Sequence, residues 1–181
     1  TFMTLLCDFP VLIVDCQATA AAPAGGHLLE IGWLRTSAKN ARPVEPEQVT
    51  ALRLRLPGGA SIPPAVQRIT GIGAEEAAAG SADAEAWNGM MQGGGAHPIP
   101  TVIHYARFER PFLRRLHRAS DPHRPFPLQI VCTHELVRRL LPALPRKGLR
   151  AVAGYFDYGV SAQRRCAAHV AATARIWFRL C

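Results

Sequence analysis

The chain has 181 residues, 49% of them hydrophobic, with 21 Lys+Arg against 13 Asp+Glu and a formal charge of +8. That length and apolar content suit one domain over residues 1–181 with a sizeable core, and no apolar run approaches the roughly 20 residues that span a bilayer. Five scattered cysteines without a C-x-x-C pair argue against a zinc knuckle or a disulfide scaffold, and the apolar start lacks a basic lead and is broken by Asp8, so the expectation is a cytoplasmic protein with reduced thiols and no membrane partner.

Residues 11–14 form an apolar run ending at Asp15, the pattern of a buried strand that delivers a carboxylate to its carboxyl end. Gln17 faces the same side, because strand side chains repeat every second residue. Asp15 is therefore a candidate metal ligand, with Gln17 where a second carboxylate would complete a divalent-cation site. An Ala/Pro/Gly turn over 20–26 leads to a strand over 28–35, antiparallel by the shortness of the connection. After a polar loop over 37–48, residues 49–56 alternate Leu52, Leu54 and Leu56 with Arg53 and Arg55, a half-solvated third strand that completes a meander. Residues 62–72 read as a short helix started by proline and stopped by glycine. Two further short helices are expected over 74–79 and 82–91, the second capped by Ser81.

A Gly/Pro loop over 92–100 precedes a short buried strand over 101–104 and a helix over 107–117, where Phe108, Phe112, Leu113 and Leu116 fall at helical spacing. A fifth strand over 130–132 runs into a helix capped by Thr133, with Glu135 near its positive end. A helix over 149–156 follows. The last helix is expected from about 162, with Ala167, Val170, Ala171, Ala174 and Trp177 as its apolar stripe. Trp33, Trp87 and Trp177 read as packing residues. The sum is an α/β fold, a mixed five-stranded sheet made of an antiparallel meander plus parallel strands and flanked by helices, without internal repeats.

Charge is unevenly divided: residues 1–100 carry 6 Lys+Arg against 9 Asp+Glu, and residues 101–181 carry 15 against 4. An excess confined to one half is the footprint of a polyanion-binding face. Arg107, Arg110, Arg114, Arg115, Arg118 and Arg124 lie close together, and Arg138-Arg139 and Arg146-Lys147 with Arg150 form two further clusters. Such contacts raise affinity for a phosphate backbone without reading sequence.

Four motifs follow one another in order: Asp15-x-Gln17-x-Thr19 with Leu29-Glu30-Ile31-Gly32; Ile62-Pro63-Pro64 with Ile69-Thr70-Gly71-Ile72; His104-Tyr105-Ala106-Arg107-Phe108-Glu109-x-Pro111-Phe112-Leu113; and the run from Arg164 through His169 to Thr173. Over about residues 10–180 the chain resembles the DnaQ-like 3′–5′ exonucleases of the DEDDh group. The resemblance implies a ribonuclease H-like fold, a two-metal hydrolytic site using Mg²⁺ or Mn²⁺, and the 3′ end of single-stranded DNA or RNA as ligand. It also implies that the five catalytic positions are Asp15, Gln17, Glu109, Arg164 and His169. Gln17 stands for the family's Glu, Glu109 for an Asp, Arg164 for the His and His169 for the last Asp, so three of the five have changed chemical class.

Holding two hard dications about 4 Å apart needs several anionic oxygens. This chain keeps two of the four carboxylates, Asp15 and Glu109, and adds a permanent cation. His169 could supply a ring nitrogen to a softer metal; Asp15, Glu109 and His169 are what remains to hold a weakly bound divalent ion. Arg164 cannot take a proton from water as a neutral imidazole does, but it can hold a phosphate through two parallel hydrogen bonds. The expectation is a strand-end-binding domain with impaired hydrolysis, in which Thr19, Tyr105, Arg107, Arg146, Lys147 and Arg164 face the nucleic acid. The alternatives are an active metal-dependent 3′–5′ exonuclease with a remodelled site, and an interaction module that reuses the fold to dock a polymerase or repair protein. His104 is expected to be a structural hydrogen-bonding residue, and nothing marks Cys16 or Cys166 as a nucleophile.

Overall fold

A computed structural model describes residues 6–39, 42–93 and 98–181. Its central strand, β1 (Val11–Ala18), is buried over all but its last residue. β2 (Leu28–Thr36) and β3 (Thr50–Arg53) pair beside it as an antiparallel meander. On its other edge β4 (Ile99–Ile103) and β5 (Leu128–Cys132) run parallel to it, giving the strand order β3-β2-β1-β4-β5. The mixed five-stranded sheet is the one expected from the apolar runs.

Strand alternation sends β1 side chains to two cores. Leu12, Val14 and Cys16 pack with Trp87 and Met90 of α3 (Asp83–Met91) and with Phe112, Leu113 and Leu116 of α4 (Ala106–Ser120). Val11 and Ile13 pack on the opposite face with Val170, Ala171, Ala174 and Trp177 of α7 (Cys166–Leu180). The small side chains of α7 let it lie close to the sheet. The shorter helices α1 (Pro64–Thr70), α2 (Ala74–Ala78), α5 (Thr133–Leu140) and α6 (Leu149–Tyr155) complete the element order. All three tryptophans are buried. Among the described residues no helix is long and apolar enough to cross a membrane.

Several boundaries differ from expectation, each for a tertiary reason. β3 ends at Arg53, after which Leu54 makes an isolated parallel bridge to Ser81. Ser81 is consequently a backbone partner of Arg53 and Arg55 and not a cap: α3 begins after Ala82 without a side-chain cap. Thr133 is the first residue of α5, and its hydroxyl is turned to His104 and to the Ile103 carbonyl. α7 begins at Cys166, four residues later than the composition of 162–165 suggests, leaving Arg164 on extended chain. Residues 40–41 and 94–97 of the two expected loops lie outside the described residues.

His104 closes β4 as a clamp. Its Nε2 donates to the Lys147 carbonyl at 3.1 Å, which leaves Nδ1 to accept from the Thr133 hydroxyl at 3.0 Å. Burial lowers its pKa to about 4. An unfolded histidine binds its proton near pH 6.5, so between those values the unfolded chain holds a proton that the folded one lacks. The stability contributed by neutral His104 is complete above about pH 6.5 and is lost as pH falls toward 4, by about 3 kcal/mol in all. Urea unfolding at pH 7 and pH 4.5 measures it, with His104→Gln expected to show the shallower pH dependence. A second prediction concerns Gly32, where a Cβ would lie 2.7 Å from the Cys166 Cβ. Gly32→Ala must push α7 from β2 and should destabilise by roughly 1–3 kcal/mol, read as a lower urea midpoint.

Candidate functional site

The site lies at the carboxyl end of β1, where pairing with β2 sets Asp15 opposite Gly32 and Gln17 opposite Glu30. Paired residues share a face, so all four positions look toward the start of α7. Glu30 is buried, and its carboxylate holds that start. Oε1 accepts from Arg165 Nε and Nη2 at 3.0 and 2.7 Å, and Oε2 accepts from the Cys166 backbone amide at 2.7 Å. From the sequence alone Glu30 is a motif letter without a role; the readable signal was an acid inside an otherwise apolar strand. The stretch before α7 is anchored too, by the Arg164 amide donating to the Ile69 carbonyl at 2.7 Å. Gly71 stops α1 in the left-handed conformation at φ 70°, and a Cβ there would collide with Gln163. The Ile-Thr-Gly-Ile motif thereby helps seat the segment that carries Arg164.

Four of the five motif positions meet. Gln17 Nε2 donates to Asp15 Oδ2 at 2.9 Å. His169 Nδ1 lies 3.3 Å from Asp15 Oδ1 and 3.4 Å from Gln17 Nε2, so a protonated Nδ1 serves Asp15 and a bare one accepts from Gln17. Glu109, buried in the first turn of α4, stands beside Asp15 and the Cys16 amide; burial, reinforced by the Asp15 charge, holds its carboxyl well above the usual carboxylate range. Its Oε2 is buried without a hydrogen-bond partner among the described residues. Arg164 is exposed and stands apart from this group, sharing a surface cleft with His169. Burial pushes the Cys16 and Cys166 thiols well above their ordinary values, with nearby carboxylates adding to it, so neither is an activated nucleophile.

These donors do not fit a pair of hard dications. Asp15 already receives an amide N–H on one oxygen and faces the His169 imidazole with the other, and burial together with the Asp15 charge disfavours the ionised form of Glu109. Among the described residues no group of three His, Cys, Asp or Glu side chains could hold a metal ion. The arrangement can present hydrogen-bond donors and guanidinium cations to an anionic group at the mouth of the site.

The candidate nucleic-acid residues divide. Tyr105, between β4 and α4, is 49% exposed, adopts φ 70°, and stands edge-on to His134 with ring centroids 5.2 Å apart. Arg107 and Arg146 are exposed. Thr19 is buried, and its hydroxyl accepts from the His27 amide at 2.9 Å. Lys147 donates to the Pro142 and Leu144 carbonyls. Within the arginine cluster of residues 107–124, Arg115 donates to the carbonyls of Pro23 and Gly26 and reaches His27, Arg114 lies over Phe126, and Arg124 pairs with Asp121.

No family model and no curated protein matches the chain. Among solved structures, it is similar to a zinc-bound E. coli ExoI–ssDNA complex, with a TM-score of 0.75 and 17% identity over 91% of this chain and 38% of that one. A complex of E. coli exonuclease I with a dT13 oligonucleotide gives 0.75 and 17% over 91% and 39%, and a product-bound exonuclease I gives 0.74 and 16% over 92% and 42%. The chain spans about two-fifths of the length of these enzymes, and its sheet and helices have the ribonuclease H-like fold found in exonuclease I.

Proposed function

We propose that this domain binds the end of a single strand of DNA or RNA and that its hydrolysis of that strand is impaired. The fold shared with exonuclease I supports the first part, together with the cationic excess of residues 101–181. One observation carries the second: the hydrogen bond from Gln17 to Asp15 sets an N–H against the carboxylate that would have to grip a cation. His169 beside the other oxygen, and the burial that disfavours an ionised Glu109, leave little negative charge for a second ion. Asp15, Gln17, Glu109 and His169 form the remodelled centre, and Tyr105, Arg107, Arg146 and Arg164 form its rim. Any Mg²⁺ or Mn²⁺ at Asp15 is weakly held.

Two measurements test this. Single-strand affinity should fall steeply with salt, roughly fifty-fold between 50 and 200 mM if about four phosphates are neutralised; salt-insensitive or absent binding would favour a protein-docking role. A 3′-labelled oligonucleotide titrated with Mg²⁺ or Mn²⁺ should remain intact, whereas joint restoration of Gln17→Glu, Glu109→Asp, Arg164→His and His169→Asp should produce cleavage. Robust Mg²⁺-dependent shortening by the unaltered protein, abolished by Asp15→Ala, would show an active exonuclease and overturn the proposal.

A further inference from the structure

We infer that the strand end held here is one bearing a terminal phosphomonoester, gripped by Arg146 and Arg164; this rests on the strand-binding reading above. A cleft of about 620 Å³ opens between the start of α6 and the extended chain before α7, lined by Arg146, Arg150, Arg164, Leu149 and His169. Three guanidinium groups border it, and no carboxylate is among its lining residues. The Arg150 guanidinium donates to the Ala162 carbonyl and so ties one wall to the other. Arg146 and Arg164 are exposed, and neither side chain has a hydrogen-bond or ion-pair partner among the described residues. Their donors face solvent from two walls of a single cleft, with His169 as its contact to Asp15.

The chemistry of the two kinds of strand end separates them in such a cleft. A hydroxyl end gives two guanidinium forks no anionic partner, and an internal phosphodiester carries one negative charge. A terminal phosphomonoester carries about −1.5 to −2 at neutral pH and three acceptor oxygens, enough for both forks to engage it with paired, charge-assisted bonds. Where a nuclease of this fold would use cations to bring a carboxylate cluster and a phosphate together, this chain places its own cations in the cleft. The inference concerns recognition alone and involves no bond cleavage.

The test is fluorescence anisotropy with the intact protein, in EDTA and at fixed salt, on a short internally labelled oligothymidylate bearing a 3′-hydroxyl, a 3′-phosphate or a 5′-phosphate. One phosphorylated form should bind about tenfold tighter than the hydroxyl form, and which of the two does so identifies the end recognised. The double variant Arg146→Gln with Arg164→Gln, altered only at exposed positions, should bring the forms to near parity. Equal affinity of all three strands for the unaltered protein would overturn this inference and leave strand binding standing. A preference that survives the double variant would overturn the assignment to this cleft. Failure to bind any strand would overturn the strand-binding reading itself, and this inference with it.

Discussion

One buried carboxylate decides where the last helix begins. Glu30 sits deep in the sheet, and an ion in that position is tolerated only with its oxygens satisfied; Arg165 and the Cys166 amide satisfy both. The positive end of α7 adds favourable charge at the same point. The hydrogen bond to Glu30, more than any other contact, holds the Arg165 guanidinium in its charged form. With Cys166 pinned, His169 lies about one turn further on and returns to the same side of the helix, which brings it to Asp15. The extended chain before the pin carries Arg164 outward to the cleft. Gly32 is the steric counterpart of this electrostatic anchor, because only the missing side chain lets Cys166 approach β2 so closely.

The same anchor explains why a neutral residue at position 17 suits this site. Gln17 pairs directly with Glu30 across β1 and β2, and like charges in that relation repel. A glutamate there would add a third negative group beside Asp15 and Glu30, stable only if a cation or another donor neutralised it. Gln17 removes the repulsion and supplies an N–H to Asp15. At Glu109, burial and the Asp15 charge both disfavour the ionised form. The Gln17 amide and the His169 imidazole thereby stand against the two Asp15 oxygens.

What could be read from the sequence was whatever depended on local pattern. β1, the meander and the parallel strands are apolar runs separated by turn residues, and period alone finds them. The missed features depend on partners distant along the chain. Residues 162–165 include good helix formers, yet Ile69 and Glu30 capture the backbone around them and set a later start. Ser81 and Thr133 have the chemistry of helix caps, but Leu54 and its neighbours engage the Ser81 backbone, and His104 takes the Thr133 hydroxyl. Of the five candidate positions, Asp15 and Gln17 were legible from the strand pattern, and Glu109, Arg164 and His169 only through resemblance, whereas the mutual engagement of Asp15, Gln17 and His169 became visible once β1 and α7 were side by side.

Sequence charge overstates the cationic surface near the centre, because arginine also serves as a carbonyl tie. Arg115 braces the turn after β1, Arg175 donates to the Phe156 carbonyl, Arg150 joins two walls of the cleft, and Arg165 belongs to Glu30. Their charge still adds to the long-range field that draws a polyanion in, but their donors are committed to the fold. Grip must come from groups with donors to spare, and in the cleft shared with His169 those are the exposed Arg146 and Arg164. Tyr105, exposed between β4 and α4, adopts a backbone conformation that costs a non-glycine residue roughly 1–2 kcal/mol. Strain of that size persists where packing fixes the residue on both sides, here the end of a buried strand and the first turn of α4. The scaffold thus turns one aromatic ring and a few uncommitted guanidinium groups to solvent.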